Sequence, residues 1–166
     1  MTKKIFTIGY EGSELEDFLE TLKFLEIEVL VDVRDVPLSR KKGFSKNILK
    51  DTLEQNGIQY IHLKGLGDPK DGRIAARNGD FDAFRKIFHK HMKSDLAQED
   101  LKEASEMVKK MLSCLLCYER DHKTCHRTIV ADYLAEITGQ IVQSVGVRKG
   151  IARENPSGEM LRIAYA

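Results

Sequence analysis

The chain lacks tryptophan altogether and holds only three cysteines and three prolines in 166 residues. An odd number of thiols, and so few, excludes a small secreted scaffold stapled by disulfides; free thiols are expected. With Pro37, Pro69 and Pro156 as the only prolines, and no Ser-rich tract or internal repeat, linker-rich and solenoid architectures are excluded too. No apolar run approaches about 18 residues, so no membrane-spanning helix and no membrane partner are expected. Lys3 and Lys4 are not followed by an apolar stretch, so a secretory leader is not expected and the cytoplasm is the expected location. An excess of one charge is missing as well: Lys plus Arg number 27 and Asp plus Glu 26, a formal net charge of +1. A uniformly basic coat for nucleic acid is thereby excluded, whereas a local basic patch is not.

What is present suffices for a core. Hydrophobic residues make up 42%, with seven Phe and five Tyr spread along the chain, which excludes global disorder. The length suits one domain.

Short apolar runs alternate with helical patterns. Residues 4–9 read as a strand ending at Gly9. Ser13 and Glu16 form a capping box before Leu15, Phe18, Leu19 and Leu22 at helical spacing. The β-branched run from Val29 to Val33 suits a strand covered on both faces. Ser45 caps a helix carrying Ile48, Leu49 and Leu53, and Asn56-Gly57 stops it. Ile58 to Leu63 is a third strand. Residues 64–80 hold four Gly and one Pro and read as a long loop. One helix starts near Phe81 and another runs from about Glu99 to Lys110. Leu112 to Cys117 is a fourth strand. Thr124 caps a helix with Ile129, Val130, Tyr133, Leu134 and Ile137 that ends at Gly139. Ile141 to Val145 is a fifth strand. The fold class is therefore α/β: one domain over residues 1–146, a mostly parallel sheet of about five strands with helices on both faces. Residues 147–166 form a polar tail, either part of that domain or an extension of it.

In such folds ligands bind outside the carboxyl ends of the strands. The groups delivered there are Tyr10 and Glu11, then Asp32, Arg34, Ser39 and Arg40, then His62, then Cys117 and Glu119, and finally Cys125-His126-Arg127. Cys125 at a helix start would sit among free amides that favour a thiolate nucleophile. The same amides, with His126 and Arg127, suit a bound phosphate; a buried thiol and a paired arginine are the bland alternative. Glu119 is a candidate general acid or base and His62 a candidate proton shuttle. Asp32 and Arg34 share one side of a strand, so the carboxylate can orient the arginine. Arg34, Arg40 and Arg127 are the candidate anion-binding arginines. Cys117 and Cys125, eight apart, could ligate zinc with His126 or His62, or could form a reversible disulfide. Cys114 lies inside the apolar strand and reads as core.

Residues 36–50 carry Arg40, Lys41, Lys42, Lys46 and Lys50 with no acid. Phe44 lies among them. This segment suits a nucleic-acid backbone, with Tyr10 and Phe44 as base-stacking candidates; a solvated face with core aromatics is the alternative.

Several pieces together make the sequence recognisable. They are Thr7-Ile8-Gly9-Tyr10-Glu11-Gly12, Val31-Asp32-Val33-Arg34 with Pro37 and Ser39-Arg40, and Gly43-Phe44-Ser45-Lys46. Gly57-Ile58-Gln59-Tyr60, Leu66-Gly67, Leu115-Leu116-Cys117-Tyr118-Glu119 and Cys125-His126-Arg127 complete the set. On these the chain resembles the domain-of-unknown-function 488 family (DUF488) of bacteria and archaea, over residues 4 to about 145. The resemblance implies an α/β domain with motif residues clustered at the strand ends, and it implies no particular reaction. The residues themselves lead to three expectations. The first is an enzyme acting on a phosphate-bearing small molecule or nucleic acid with Cys125 as thiolate. The second is a non-catalytic nucleic-acid-binding module using residues 39–50. The third is a zinc or redox site at Cys117 and Cys125.

Overall fold

A computed structural model describes residues 3–154. Five parallel strands form one sheet in the order β3-β2-β4-β1-β5. They are β1 (Ile5–Gly9), β2 (Val29–Asp32), β3 (Gln59–His62), β4 (Ser113–Cys117) and β5 (Val142–Gly146). The helices are α1 (Leu15–Phe24), α2 (Lys46–Gln55), α3 (Lys70–Arg77), α4 (Phe81–Met92), α5 (Asp95–Lys110), α6 (His126–Thr138) and α7 (Ile151–Glu154).

Strand alternation sends side chains to two cores. Phe6, Ile8, Leu30, Cys114 and Leu116 pack with Phe18 and Leu22 of α1 and Leu49 and Leu53 of α2. Ile5, Val29, Val31 and Leu115 pack with Phe84 and Phe88 of α4, Leu101 of α5 and Val130 and Leu134 of α6. The chain steps outward from β1 to β2 to β3 with its helices on the first face. It steps back to β4, and on from β4 to β5, with its helices on the second. That division follows if each crossover is right-handed, because reversing the direction of travel reverses the face. β4 therefore lies between β1 and β2, and its outgoing connection leaves to the face opposite theirs. A crevice opens at that reversal, at the carboxyl end of β4.

Several local expectations are corrected. Residues 64–80 are not a loop. A 3-10 turn (Lys64–Leu66) leads to α3, whose N-cap is Pro69, with Asp71 in its first turn and Arg77 in its last. The helix after α4 starts at Asp95, not Glu99, because Ser94 caps it by accepting from the Ala97 amide at 3.2 Å. Ser13 and Glu16 form no capping box; the N-cap of α1 is Glu14, and no side chain caps it. Ser45 does occupy the N-cap of α2, but its hydroxyl bonds the Ser39 backbone instead. The N-cap of α6 is Cys125 rather than Thr124, whose hydroxyl donates to the Asp121 carbonyl.

Val147 and Ile151 are buried, and Asp17 of α1 accepts from the amides of Gly150 and Ala152 at 2.9 and 3.1 Å. The tail up to residue 154 thus packs on the domain; the rest of the expected tail lies outside the described residues. Among the described residues no helix is long and apolar enough to cross a membrane.

Candidate functional site

A cleft of about 1130 Å³ opens over the carboxyl ends of β1, β2 and β4. Its floor is made by Cys117, Glu119 and His126. Cys117 closes β4 on the face of Leu115, toward α6. The loop beyond it brings Glu119 back, so that the Cys117 thiol donates to Glu119 Oε2 at 3.0 Å. Backbone passage there needs glycine at position 9: a Cβ on Gly9 would lie 1.8 Å from the Glu119 carbonyl oxygen.

His126, in the first turn of α6, is buried and donates from Nε2 to the Val33 carbonyl at 2.6 Å. That bond fixes the ring and turns Nδ1 toward both sulfurs, 3.6 Å from Cys117 Sγ and 3.9 Å from Cys125 Sγ. One ligand atom from each of Cys117, Cys125 and His126 lies within 4.8 Å of the others. The two cysteines that are eight apart in sequence are thus neighbours in space. All three cysteines are free thiols.

The helix start does not acidify Cys125. Its sulfur accepts from the Arg127 amide at 3.5 Å, yet burial pushes the thiol well above its ordinary range, and the Cys117 thiol beside it acts the same way. Burial likewise pushes Cys117 up. Of the two sulfurs, Cys117 faces the cleft, and Cys125 stands behind it.

The arginines divide. Arg34 lines the cleft wall, but four of its five side-chain donors are engaged. Nε and Nη2 reach Asp32 at 2.9 and 2.7 Å, and Nη1 reaches the Phe44 carbonyl and the Tyr10 hydroxyl at 2.7 and 3.2 Å. Asp32 holds it as expected, but Asp32 is itself fully buried and also accepts from the Tyr60 hydroxyl at 2.5 Å. It is a positioning carboxylate, out of reach of a substrate. Arg127 is no anion site at all. It is fully buried and donates to Thr7 Oγ1 at 3.2 Å and to the carbonyls of Glu119 and Arg120. Arg40 remains on the cleft rim, exposed and without a partner among the described residues.

Two further expectations fail on burial or placement. Tyr10 and Phe44 stack on each other, centroids 4.4 Å apart, and Phe18 closes the other approach to Phe44. Both rings are buried, so neither offers a face to a base. His62 does not line the cleft; its Nε2 donates to the Arg34 carbonyl at 2.7 Å and braces the loop after β2.

Reading residues 64–80 as a loop concealed three groups. Asp68 is buried, lines the cleft and leaves Oδ1 without a hydrogen-bond partner. Burial raises its carboxyl to about 6, against the opposing charges of His126 and Arg73. Arg73 pairs with Asp35 at 2.6 Å and donates to the Asp68 carbonyl at 2.8 Å. Arg77 lies exposed on the rim with no partner among the described residues. The available signal was the carboxylate directly after Leu66-Gly67 and the basic end of a short helix.

Fold and site define an α/β parallel-sheet domain with a thiol, imidazole and carboxylate cluster at the floor of its strand-end crevice. Residues 14–134 match the family described as "Domain of unknown function DUF488", and the chain belongs to that family. No curated protein and no solved structure matches it.

Proposed function

We propose that this DUF488 domain is an enzyme acting on a phosphate-bearing substrate, a nucleotide or a nucleic-acid strand, bound in the cleft. One observation carries the reading. The groups able to do chemistry, Cys117, Glu119 and His126, form the floor of the cleft whose rim presents Arg40 and Arg77 without partners among the described residues. Free guanidinium forks suit phosphate oxygens. Arg34 and Arg73 line the same cleft, each neutralised by a carboxylate, Asp32 and Asp35. Glu119 is the acid–base group, and Cys117 with Cys125 behind it supplies sulfur at the reacting centre. A non-catalytic nucleic-acid module on residues 39–50 keeps its exposed lysines but loses its stacking aromatic, because Phe44 is buried.

Calorimetric titration with inorganic phosphate, AMP and a 5′-phosphorylated single-stranded oligonucleotide tests this. At least one probe is expected to bind, and the double variant Arg40→Ala/Arg77→Ala to bind it about tenfold or more weakly, a loss of about 1.4 kcal/mol. The triple variant Lys42→Ala/Lys46→Ala/Lys50→Ala is expected to bind the phosphate and AMP probes like the parent. Absence of binding to every probe refutes the reading. Steeply salt-dependent oligonucleotide binding that is lost only in the lysine variant transfers it to the module.

A further inference from the structure

We propose that Cys117, Cys125 and His126 bind a zinc ion whose fourth position opens into the cleft beside Glu119. This deepens the reading of the cleft floor as a reaction centre, and it stands on ligand geometry that anion binding at the rim does not touch.

The ligand atoms are already spaced for a metal. With Zn–S of about 2.3 Å and Zn–N of about 2.0 Å, tetrahedral angles put sulfur and nitrogen about 3.5 Å apart. Nδ1 of His126 is 3.6 and 3.9 Å from the two sulfurs. All three ligand atoms lie within 4.8 Å of one another. The surrounding bonds are those of a metal site's outer shell. Nε2 donates to the Val33 carbonyl at 2.6 Å, which fixes the ring and leaves Nδ1 to ligate. The Arg127 amide points at Cys125 Sγ, where it supports a thiolate.

The donor set selects the ion. Two thiols and an imidazole are too soft for magnesium or calcium and suit zinc. Three protein ligands with one open position is the catalytic pattern, not the closed structural one. Charge balances: the ion displaces one proton from each thiol, and the proton that a cationic His126 carries on Nδ1, into solvent, and two thiolates with a neutral imidazole cancel its double charge. Loss of the Cys117 proton also ends the Cys117–Glu119 hydrogen bond. Glu119 is then free to accept from a water or a substrate hydroxyl at the open position.

The test is metal content of the full chain purified under reducing conditions without added metal, followed by zinc titration against a chromophoric chelator. About one zinc per chain is expected. Cobalt substitution is expected to give a thiolate-to-metal charge-transfer band with tetrahedral ligand-field bands. Cys125→Ser and Cys117→Ser should each lose the ion and the band. Cys114→Ala, whose sulfur lies in the opposite core, should keep both, as should Arg40→Ala/Arg77→Ala. Parent protein with three reactive thiols and no zinc uptake overturns the proposal, as does a Cys117–Cys125 disulfide in the freshly purified chain. Retention of zinc in folded Cys125→Ser overturns it too. Because the zinc count uses no phosphate probe, a failure of anion binding with zinc retained refutes the enzyme reading alone.

Discussion

Arg127 is the largest fully buried side chain of the described structure, and it has no carboxylate partner there. Its guanidinium spans from Thr7 on β1 to the carbonyls of Glu119 and Arg120, so it braces the loop that carries Glu119 over the end of β1. Arg127→Met keeps most of the volume but leaves buried acceptors unpaired, at about 1–3 kcal/mol each. Chemical denaturation should therefore show a loss of about 3 kcal/mol or more. An arginine held in solvent for an anion would change stability by about 0.5 kcal/mol or less, so a small loss would falsify the bracing role. The Asp32–Arg34 pair was legible at this scale; His62 at the end of β3 and the helix-start residues were not. Period-2 alternation put Asp32 and Arg34 on one side, and the pair exists at 2.7 Å. A helix N-terminus, by contrast, fixes the backbone of Cys125-His126-Arg127 without fixing where each side chain points. Arg127 turned inward, and His126 turned to the sulfurs.

At the scale of elements, all five strands and their order in sequence were legible, because β-branched and apolar runs of that length have few other uses. Helix α3 was not, because four glycines and Pro69 in residues 64–80 read as a loop, Gly72 in the helix's first turn among them. The structure supplies the reason for the glycine: a Cβ there would stand 2.1 Å from Asp68 Oδ1. Local propensity was set aside to admit a buried carboxylate. Two opposed effects follow for Gly72→Ala. Helix propensity favours alanine by about 1 kcal/mol, whereas the Asp68 carboxylate must shift to admit the Cβ. Gly72→Ala should therefore give a thermal midpoint lower, relative to its own background, in the parent than in Asp68→Ala. In the Asp68→Ala background, where the carboxylate is gone, the same change should raise it. A double-mutant cycle with equal effects in both backgrounds would remove the carboxylate as the cause.

For the whole molecule, alternation of strands and helices located the chemistry at the strand carboxyl ends, and that much required no structure. Strand order required it. Sequence periodicity is local, whereas the placement of β4 between β1 and β2 is settled by which edges remain when the chain turns back. That placement makes Cys117 the sulfur facing the crevice and puts Cys125 behind it, the reverse of the emphasis that motif spacing suggested. The same global packing accounts for residues 147–154. Their polar sequence carries no strong helix signal, yet Asp17 accepts two of their amides while Val147 and Ile151 fill the seam beside α1. Asp17 thus acts across more than a hundred residues as the cap of α7, and such caps contribute about 1 kcal/mol. Asp17→Ala should lower stability by about that amount and open residues 147–154 to limited proteolysis. β5 is the edge strand beyond β1, away from β2 and β4, so the same variant should retain zinc and bind phosphate probes like the parent. Loss of either would mean that the seam supports the cleft floor as well as the edge of the sheet.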